Sequence, residues 1–441
     1  MYEKPILIIG AGPTGLTLAI DLARRGIAFR LLEAAETPFQ GSRGKGIQPR
    51  TLEVFEDLGV IDQILAAGAP YPKFRLHLGP LSLRAGSLGS SKPPTEAMPY
   101  PNLWMVPQSR TEEILRERLR QLGHQVEFGM ALTKLEQDDH AVHATLSNGE
   151  IVDADYLVGC DGGHSAVRKS LGLKLEGEAI DEEPSLVADV EIKGLDRRDW
   201  HIWPSLKGGA IGLCPLPNTQ LFQLMAKAAS IGDNIEQVVL KATRQRIERI
   251  AWRSIYQPSV RMVNRYRVGR VFLAGDAAHV HPPSGGQGLN TGVQDAYNLG
   301  WKLAHVVSGG PSSLLDTYES ERLPIAAAVL GLSKHLHQTR SIKRGDATKQ
   351  LALHYRTSPL SSGDPLGTLH PGDRMPDRRI GDTRLFERMR GPQATELQLI
   401  DGPRILIRPD GYIASIRHNE STEYAGMPIQ HIRCTTIPSL D

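Results

Sequence analysis

An apolar run, Ile6-Leu7-Ile8-Ile9, leads directly into Gly10-Ala11-Gly12-Pro13-Thr14-Gly15 and then into a helical stretch, Leu16 to Arg25, closed by Gly26. Strand, glycine turn and helix in this order constrain the chain to a Rossmann-type unit. The glycines let the backbone approach a pyrophosphate, and the helix N-terminus faces its charge. A second apolar run, Ile27 to Leu32, delivers Glu33, with Ala34 beside it, about twenty residues beyond the loop, where an acid accepts hydrogen bonds from an adenosine ribose. That acid favours a free 2′-hydroxyl and repels a 2′-phosphate.

Two further motifs follow. Val271-Phe272-Leu273-Ala274 reads as a buried strand that brings Gly275 and Asp276 to its carboxyl end, where ligands gather in open α/β sheets. After it come His279 and Pro282-Pro283-Ser284-Gly285-Gly286-Gln287-Gly288-Leu289-Asn290. The third motif, Tyr156 to Arg168, centres on Asp161-Gly162-Gly163. In this order the three motifs resemble those of the single-component FAD-dependent aromatic hydroxylases, the para-hydroxybenzoate hydroxylase-like flavoprotein monooxygenases, closest in style to the polyketide, rifampicin and phenylpropionate hydroxylases. The resemblance spans roughly residues 1 to 340.

The resemblance implies one non-covalent FAD held at both ends. Gly10, Gly12, Pro13, Thr14 and Gly15 would hold the pyrophosphate, Glu33 the ribose, and Gly275 and Asp276 the ribityl chain. Backbone amides around Gln287, Gly288, Leu289 and Asn290 would face the flavin pyrimidine, where a helix N-terminus favours the anionic reduced cofactor. Pro282, Gly285 and Gly286 would cover the flavin where oxygen adds. Arg43 matches an arginine near the ribityl chain, Gln108 a cofactor-contacting glutamine, and Arg110 an interdomain salt-bridge residue. Asp161 and Arg168 match positions at the pyrophosphate and the nicotinamide approach, although capping the helix after Ser165 is a simpler role for this segment.

Composition narrows the class. With 441 residues the chain can hold two or three domains, and a net charge of +2 without a dense basic block gives no footprint for nucleic acid. No apolar run approaches a membrane span, and the opening Met1 to Pro5 reads without a cleavable leader, so a cytoplasmic protein is expected. Cys160, Cys214 and Cys434 form no CxxC, which argues against a redox-active disulfide. No second GxGxxG lies in strand–helix context, so NAD(P)H would bind transiently. His279 and His281 share a strand face without an evident third ligand, so no metal is expected. Trp200-His201-Ile202-Trp203-Pro204 is only superficially like a flavin-halogenase motif; Trp203 reads as cavity lining or core, and His201 as a satisfied polar residue rather than a base.

The expected fold is α/β, α+β overall: a Rossmann-type FAD-binding domain, an inserted, mostly antiparallel sheet as substrate domain, and a short thioredoxin-like C-terminal remnant. Residues 1–183 form the first part of the FAD domain, with 71–107 as loops and short strands bordering the substrate cavity. Residues 184–265 form the substrate domain, with strands Ser185 to Ile192, Ala210 to Leu216 and Leu221 to Ala226 and a helix from Asn234 to Arg249. Residues 266–344 complete the FAD domain, 345–372 are a polar linker, and 373–441 carry the remnant, whose hairpin turns at Pro409-Asp410-Gly411. Trp203, Leu213, Leu216, Phe222, Leu224 and Met225 are the candidate cavity walls.

The implied activity is NAD(P)H-dependent hydroxylation of an aromatic, polyketide- or antibiotic-like polycyclic substrate through a flavin C4a-hydroperoxide. No acid or base is assigned, and the cavity must exclude water. The partners are that substrate, dioxygen and NAD(P)H, in a monomer or homodimer. The same scaffold would serve a small-phenol hydroxylase, a Baeyer–Villiger enzyme or an antibiotic-inactivating monooxygenase. A flavin-binding partner or sensor without catalysis is the reading from another class.

Overall fold

The computed structural model describes residues 4–88, 91–204, 210–231, 234–282, 285–339, 345–399, 402–417 and 429–434. Its largest core surrounds a six-stranded sheet in the order Arg267–Val268, Val271–Leu273, Tyr156–Gly159, Ile6–Ile9, Phe29–Glu33 and Glu127–Phe128. Ile6–Ile9 pairs in parallel with strands on both sides, and its four residues are buried, as expected of a strand covered on both faces. Helix Pro13–Ala23 leaves the first glycine loop and packs on helix Gly288–Val307. The approach is close because Gly292 presents no side chain to Thr14, and a Cβ on Gly275 would come within 2.6 Å of the same threonine hydroxyl. Thr14 thus wedges the two nucleotide loops together.

The second sheet has seven strands, in the order Ile247–Tyr256, Ser185–Ile192, Leu221–Lys227, Ala210–Pro215, Asp199–Pro204, Lys73–Leu78 and Leu81–Arg84. Its last two strands come from the stretch expected to be loops and short strands. Lys73–Leu78 pairs in parallel with Asp199–Pro204, so this stretch extends the seven-stranded sheet. The helix expected from Asn234 to Arg249 is shorter, Ile235–Thr243. Arg244 turns left-handed at φ 60°, and the chain returns as the edge strand Ile247–Tyr256, where exposed and half-buried residues alternate.

A third sheet of five strands is formed by Ser362–Gly363, Ile413–Arg417, Arg404–Ile407, Ala394–Leu399 and Ile429–Cys434, and it encloses a small core around Leu397, Ile405 and Ile413. The segment 345–372, expected to be a linker, is anchored rather than free. Gln350 is buried and bonds Gln294 and Gln287, and Tyr355 is buried against Arg322. Part of its polarity, at Thr348, Gln350 and Ser358, is that of side chains satisfied inside the protein. Among the described residues no helix is long and apolar enough to cross a membrane.

Candidate active site

The first glycine loop is built to leave room. Gly10 has φ +102°, and a Cβ there would lie 2.5 Å from the Cys160 carbonyl, so only glycine allows the turn to close against the Asp-Gly segment. Around Gly12 the space is open: a Cβ would meet nothing within 4 Å. Glu33 sits across this gap. Its carboxylate accepts from the Ala11 N–H at 2.9 Å and the Ala35 N–H at 3.0 Å, which braces the loop.

The second loop converges on the same cleft. Asp276 is exposed although Gly275 and Ala277 on either side are buried, so its carboxylate lines an internal cleft. Burial among protein atoms raises its pKa, against the lowering influence of His279 and Arg43. Arg43 bridges this cleft to the seven-stranded sheet, with Nη2 donating to Ser254 Oγ at 3.0 Å. A carboxylate open to a cleft beside glycines suits a dinucleotide with a polyol chain. Pro282 is buried, Gly285 and Gly286 both have positive φ, and Pro283 and Ser284 lie outside the described residues.

Several expected contact residues are already engaged through their side chains. Asn290 accepts from the Gln48 N–H at 2.8 Å and donates to the Gly46 and Gly286 carbonyls, so it clamps the second loop onto the segment after Arg43. Leu289 lies against Gly44. Gln108 accepts from the Gly44 N–H at 3.0 Å and donates to Glu112 at 2.9 Å. Asp161 accepts from the Ala166 and Val167 amides and caps the short helix Ala166–Ser170, while Arg168 donates to the Gly163 and Ala277 carbonyls. The Asp-Gly motif thus holds the two flanking turns in register. Arg110 pairs with Glu113 one turn along the exposed face of its own helix, which corrects the interdomain role.

Burial pushes the Glu112 carboxyl up from 4.5 to about 7, against the hydrogen bond from Gln108 and the Arg116 guanidinium. The folded chain therefore binds more protons than the unfolded chain between these values, and stability falls as pH rises through that window. Glu112→Gln is expected to flatten this slope in urea unfolding measured across pH. A slope identical to that of the parent would refute the assignment.

Most of the candidate cavity walls lie on the face of the seven-stranded sheet that forms the substrate domain's core. Leu213 pairs with Leu224, and both pack with Phe222 and the edge of Trp203 into the core beneath helix Ile235–Thr243. These four are therefore corrected from cavity walls to the substrate domain's own core; Leu216, just beyond the strand end, is also buried. Because side chains alternate, the pair Gly212 and Met225 faces the other way, in a cross-strand row with Leu76, Ile202, Val187 and Ser254. Of the six candidates, Met225 alone is on this row. The same face carries Asp189 and Gln223, which bind Ser42 beside Arg43: the Ser42 N–H donates to Asp189 at 2.8 Å, and Gln223 donates to the Ser42 carbonyl at 2.6 Å. Polar bonds thus fix the floor to the cofactor loop.

The sequence reading missed Lys45 and Trp200. Lys45, which is 8% exposed, holds its ammonium 4.4 Å from the centre of the Trp200 ring, a cation–π contact. Only the spacing of Trp200 from Gly212 and Met225 along the strands could have signalled it. His201 is satisfied as expected, by the Asp196 carbonyl at 2.7 Å and by His77 at 2.8 Å. His279 and His281 face each other at 2.9 Å, and among the described residues no three potential ligands surround a metal position.

A family model described as an FAD binding domain matches residues 3–333. A flavin-dependent monooxygenase of Mycobacteroides abscessus is 42% identical, over 95% of this chain and 98% of the relative. The rifampicin monooxygenase of Streptomyces venezuelae is 33% identical, over 96% and 98%. Among solved structures, the anhydrotetracycline hydroxylase OxyS of Streptomyces rimosus aligns with a TM-score of 0.73 at 28% identity, covering 94% of this chain and 96% of that one.

Proposed function

Because the chain belongs to the FAD-binding-domain family of flavin-dependent monooxygenases, we propose that it hydroxylates a polycyclic aromatic compound at the expense of NAD(P)H and dioxygen. FAD is its cofactor and supplies the two-electron and oxygen chemistry. The open space at Gly12 and the brace at Glu33 would receive the adenosine diphosphate end, and Asp276 the ribityl hydroxyls. Amides at the start of helix Gly288–Val307 would meet the flavin pyrimidine, with Pro282, Gly285 and Gly286 around them.

The observation that carries the substrate class is the floor formed by Leu76, Ile202, Gly212, Met225 and Val187. Its side chains are mostly apolar, and the Trp200 indole lies against Gly212. A flat ring system gains from such a surface through buried apolar area, at about 25 cal/mol per Å². An apolar floor also keeps water from the reacting centre. The cations Arg43 and Lys45 border the row, Arg43 at Ser254 and Lys45 on the Trp200 ring. The names of the rifampicin and anhydrotetracycline relatives support a large, multi-ring substrate. A cytoplasmic location accords with a nicotinamide-dependent reaction.

The test is labelled dioxygen supplied with NADH or NADPH and a panel of phenols of one to four rings, followed by product mass and peroxide assay. One labelled oxygen in a multi-ring product is expected. Coupled turnover confined to single-ring acids would overturn the substrate class, and peroxide alone with every compound would overturn the hydroxylase reading.

A further inference from the structure

Behind the flavin loop lies a chain of three titratable side chains that the proposed reaction does not use. Asp295, fully buried on helix Gly288–Val307, accepts from the Gly275 N–H at 3.1 Å, from Arg322 Nε at 2.7 Å and from His279 Nε2 at 2.6 Å. Burial pushes the Asp295 carboxyl up, but Arg322 and His279 outweigh it and hold it ionised. With a carboxylate as acceptor, His279 carries its proton on Nε2, and its Nδ1 accepts from His281 Nε2 at 2.9 Å. This ordering leaves His281 Nδ1 with a bare lone pair. That atom is buried and has no hydrogen-bond partner among the described residues. Buried acceptors are almost always paired, so an unpaired one marks a place where a partner arrives.

The ring itself borders the helix start where the reading above puts the flavin pyrimidine. A Cβ on Gly288, the first residue of the helix, would lie 3.7 Å from His281 Cδ2 and 3.8 Å from Asp276 Oδ1, so imidazole and carboxylate both border that helix start. The charged groups around His281 are Asp276 in the cleft, Arg43 across it, Asp295 with Arg322 behind His279, and Arg261 on the strand paired with Val280. At rest, burial and the neighbouring His279 keep the His281 imidazole neutral, well below its ordinary pKa.

We propose that His281, backed by His279 and Asp295, takes up one proton at Nδ1 when the bound FAD is reduced and releases it on reoxidation. The inference rests on the cofactor reading above. A hydride brings two electrons and one proton to the cofactor. A second proton, drawn from solvent, forms the Nδ1–H bond of His281, and no other bond changes. The resulting imidazolium stands beside the negative charge that the reduced cofactor gains near the helix start, and its own charge is shared with His279 and countered by Asp295. His281 is in this sense a charge-balancing residue, and His279 and Asp295 position it.

The experiment is a proton count. The FAD-loaded enzyme is reduced at an electrode in lightly buffered solution with a pH indicator, on the alkaline side of neutrality. The expected result is two protons per two electrons for the wild type and one for His281→Leu, with unchanged visible spectra of the oxidised form. His279→Gln keeps His281 but cuts it from Asp295, and is also expected to lose the second proton. One proton in the wild type, or two in both variants, would overturn the proposal. If His281→Leu does not retain FAD, the wild type and His279→Gln decide. Purified wild type without FAD would instead overturn the cofactor reading, which separates the two failures.

Discussion

Arg408→Ala is expected to destabilise the protein by about 3–5 kcal/mol, the usual consequence of removing one partner from a buried ion cluster. Arg408 is fully buried at the turn of the C-terminal hairpin. Its guanidinium donates to both oxygens of Glu321, at 2.7 and 2.9 Å, and to both of Asp410, at 2.9 and 2.6 Å. Glu321 also accepts from Lys302 at 2.7 Å, Asn298 at 2.7 Å and Ser358 at 2.6 Å, and Arg50 donates to the Asp410 carbonyl at 2.7 Å. Without the guanidinium, two buried carboxylates share one ammonium, and burial already pushes Lys302 down to about 8. The loss is a large fraction of an ordinary domain's 5–15 kcal/mol.

Urea unfolding of the holoenzyme, followed both by flavin fluorescence and by protease susceptibility of residues 373–417, measures the effect. Protease sensitivity is expected to rise first, because the hairpin turn is what the cluster clamps. Arg408→Lys retains the charge but not the fork, and should recover only part of the loss. Stability within about 1 kcal/mol of the parent for Arg408→Ala would show that the cluster is not a clamp.

The C-terminal turn also shows how far the sequence could be read. Pro409-Asp410-Gly411 marked a turn correctly, since Gly411 takes φ +79° between strands Arg404–Ile407 and Ile413–Arg417. That it plugs into helices Gly288–Val307 and Asp316–Gln338 was not legible, because long-range ion pairs leave no local pattern. Composition misled for the same reason at 345–372: Gln350 and Ser358 look like linker residues, yet they are buried and bonded. Both nucleotide loops were legible because glycine is required by backbone geometry itself, as at Gly10, where a side chain would strike the neighbouring strand.

The substrate floor was half legible. Alternation showed that Leu213 and Leu224 share a face, but not which face a helix would cover. Helix Ile235–Thr243 packs on the leucine side, and the row of Gly212 and Met225 takes the opposite face. A preference for the most hydrophobic residues as cavity walls therefore selected the core. The same limit hid the strand Lys73–Leu78, whose parallel partner lies far along the chain and gives no hairpin signal.

The two acids at opposite ends of the cleft make the remaining prediction. Each of Asp276→Ala and Glu33→Ala removes a charged acceptor worth about 1.5–3 kcal/mol, so FAD should bind roughly tenfold to a hundredfold more weakly in either variant. Their effects on fragments should differ. Glu33 braces the Ala11 and Ala35 amides beside the open space at Gly12, so its loss should weaken ADP as well as FAD. Asp276 stands at the far loop, in the turn Gly275–Ala277, so its loss should weaken FAD and riboflavin and leave ADP unchanged. Equilibrium dialysis of the apoenzyme against the three ligands reads both ends separately. Equal losses of ADP affinity in the two variants would mean that the loops do not divide the cofactor between them, and unchanged FAD affinity in both would remove the acids from the site.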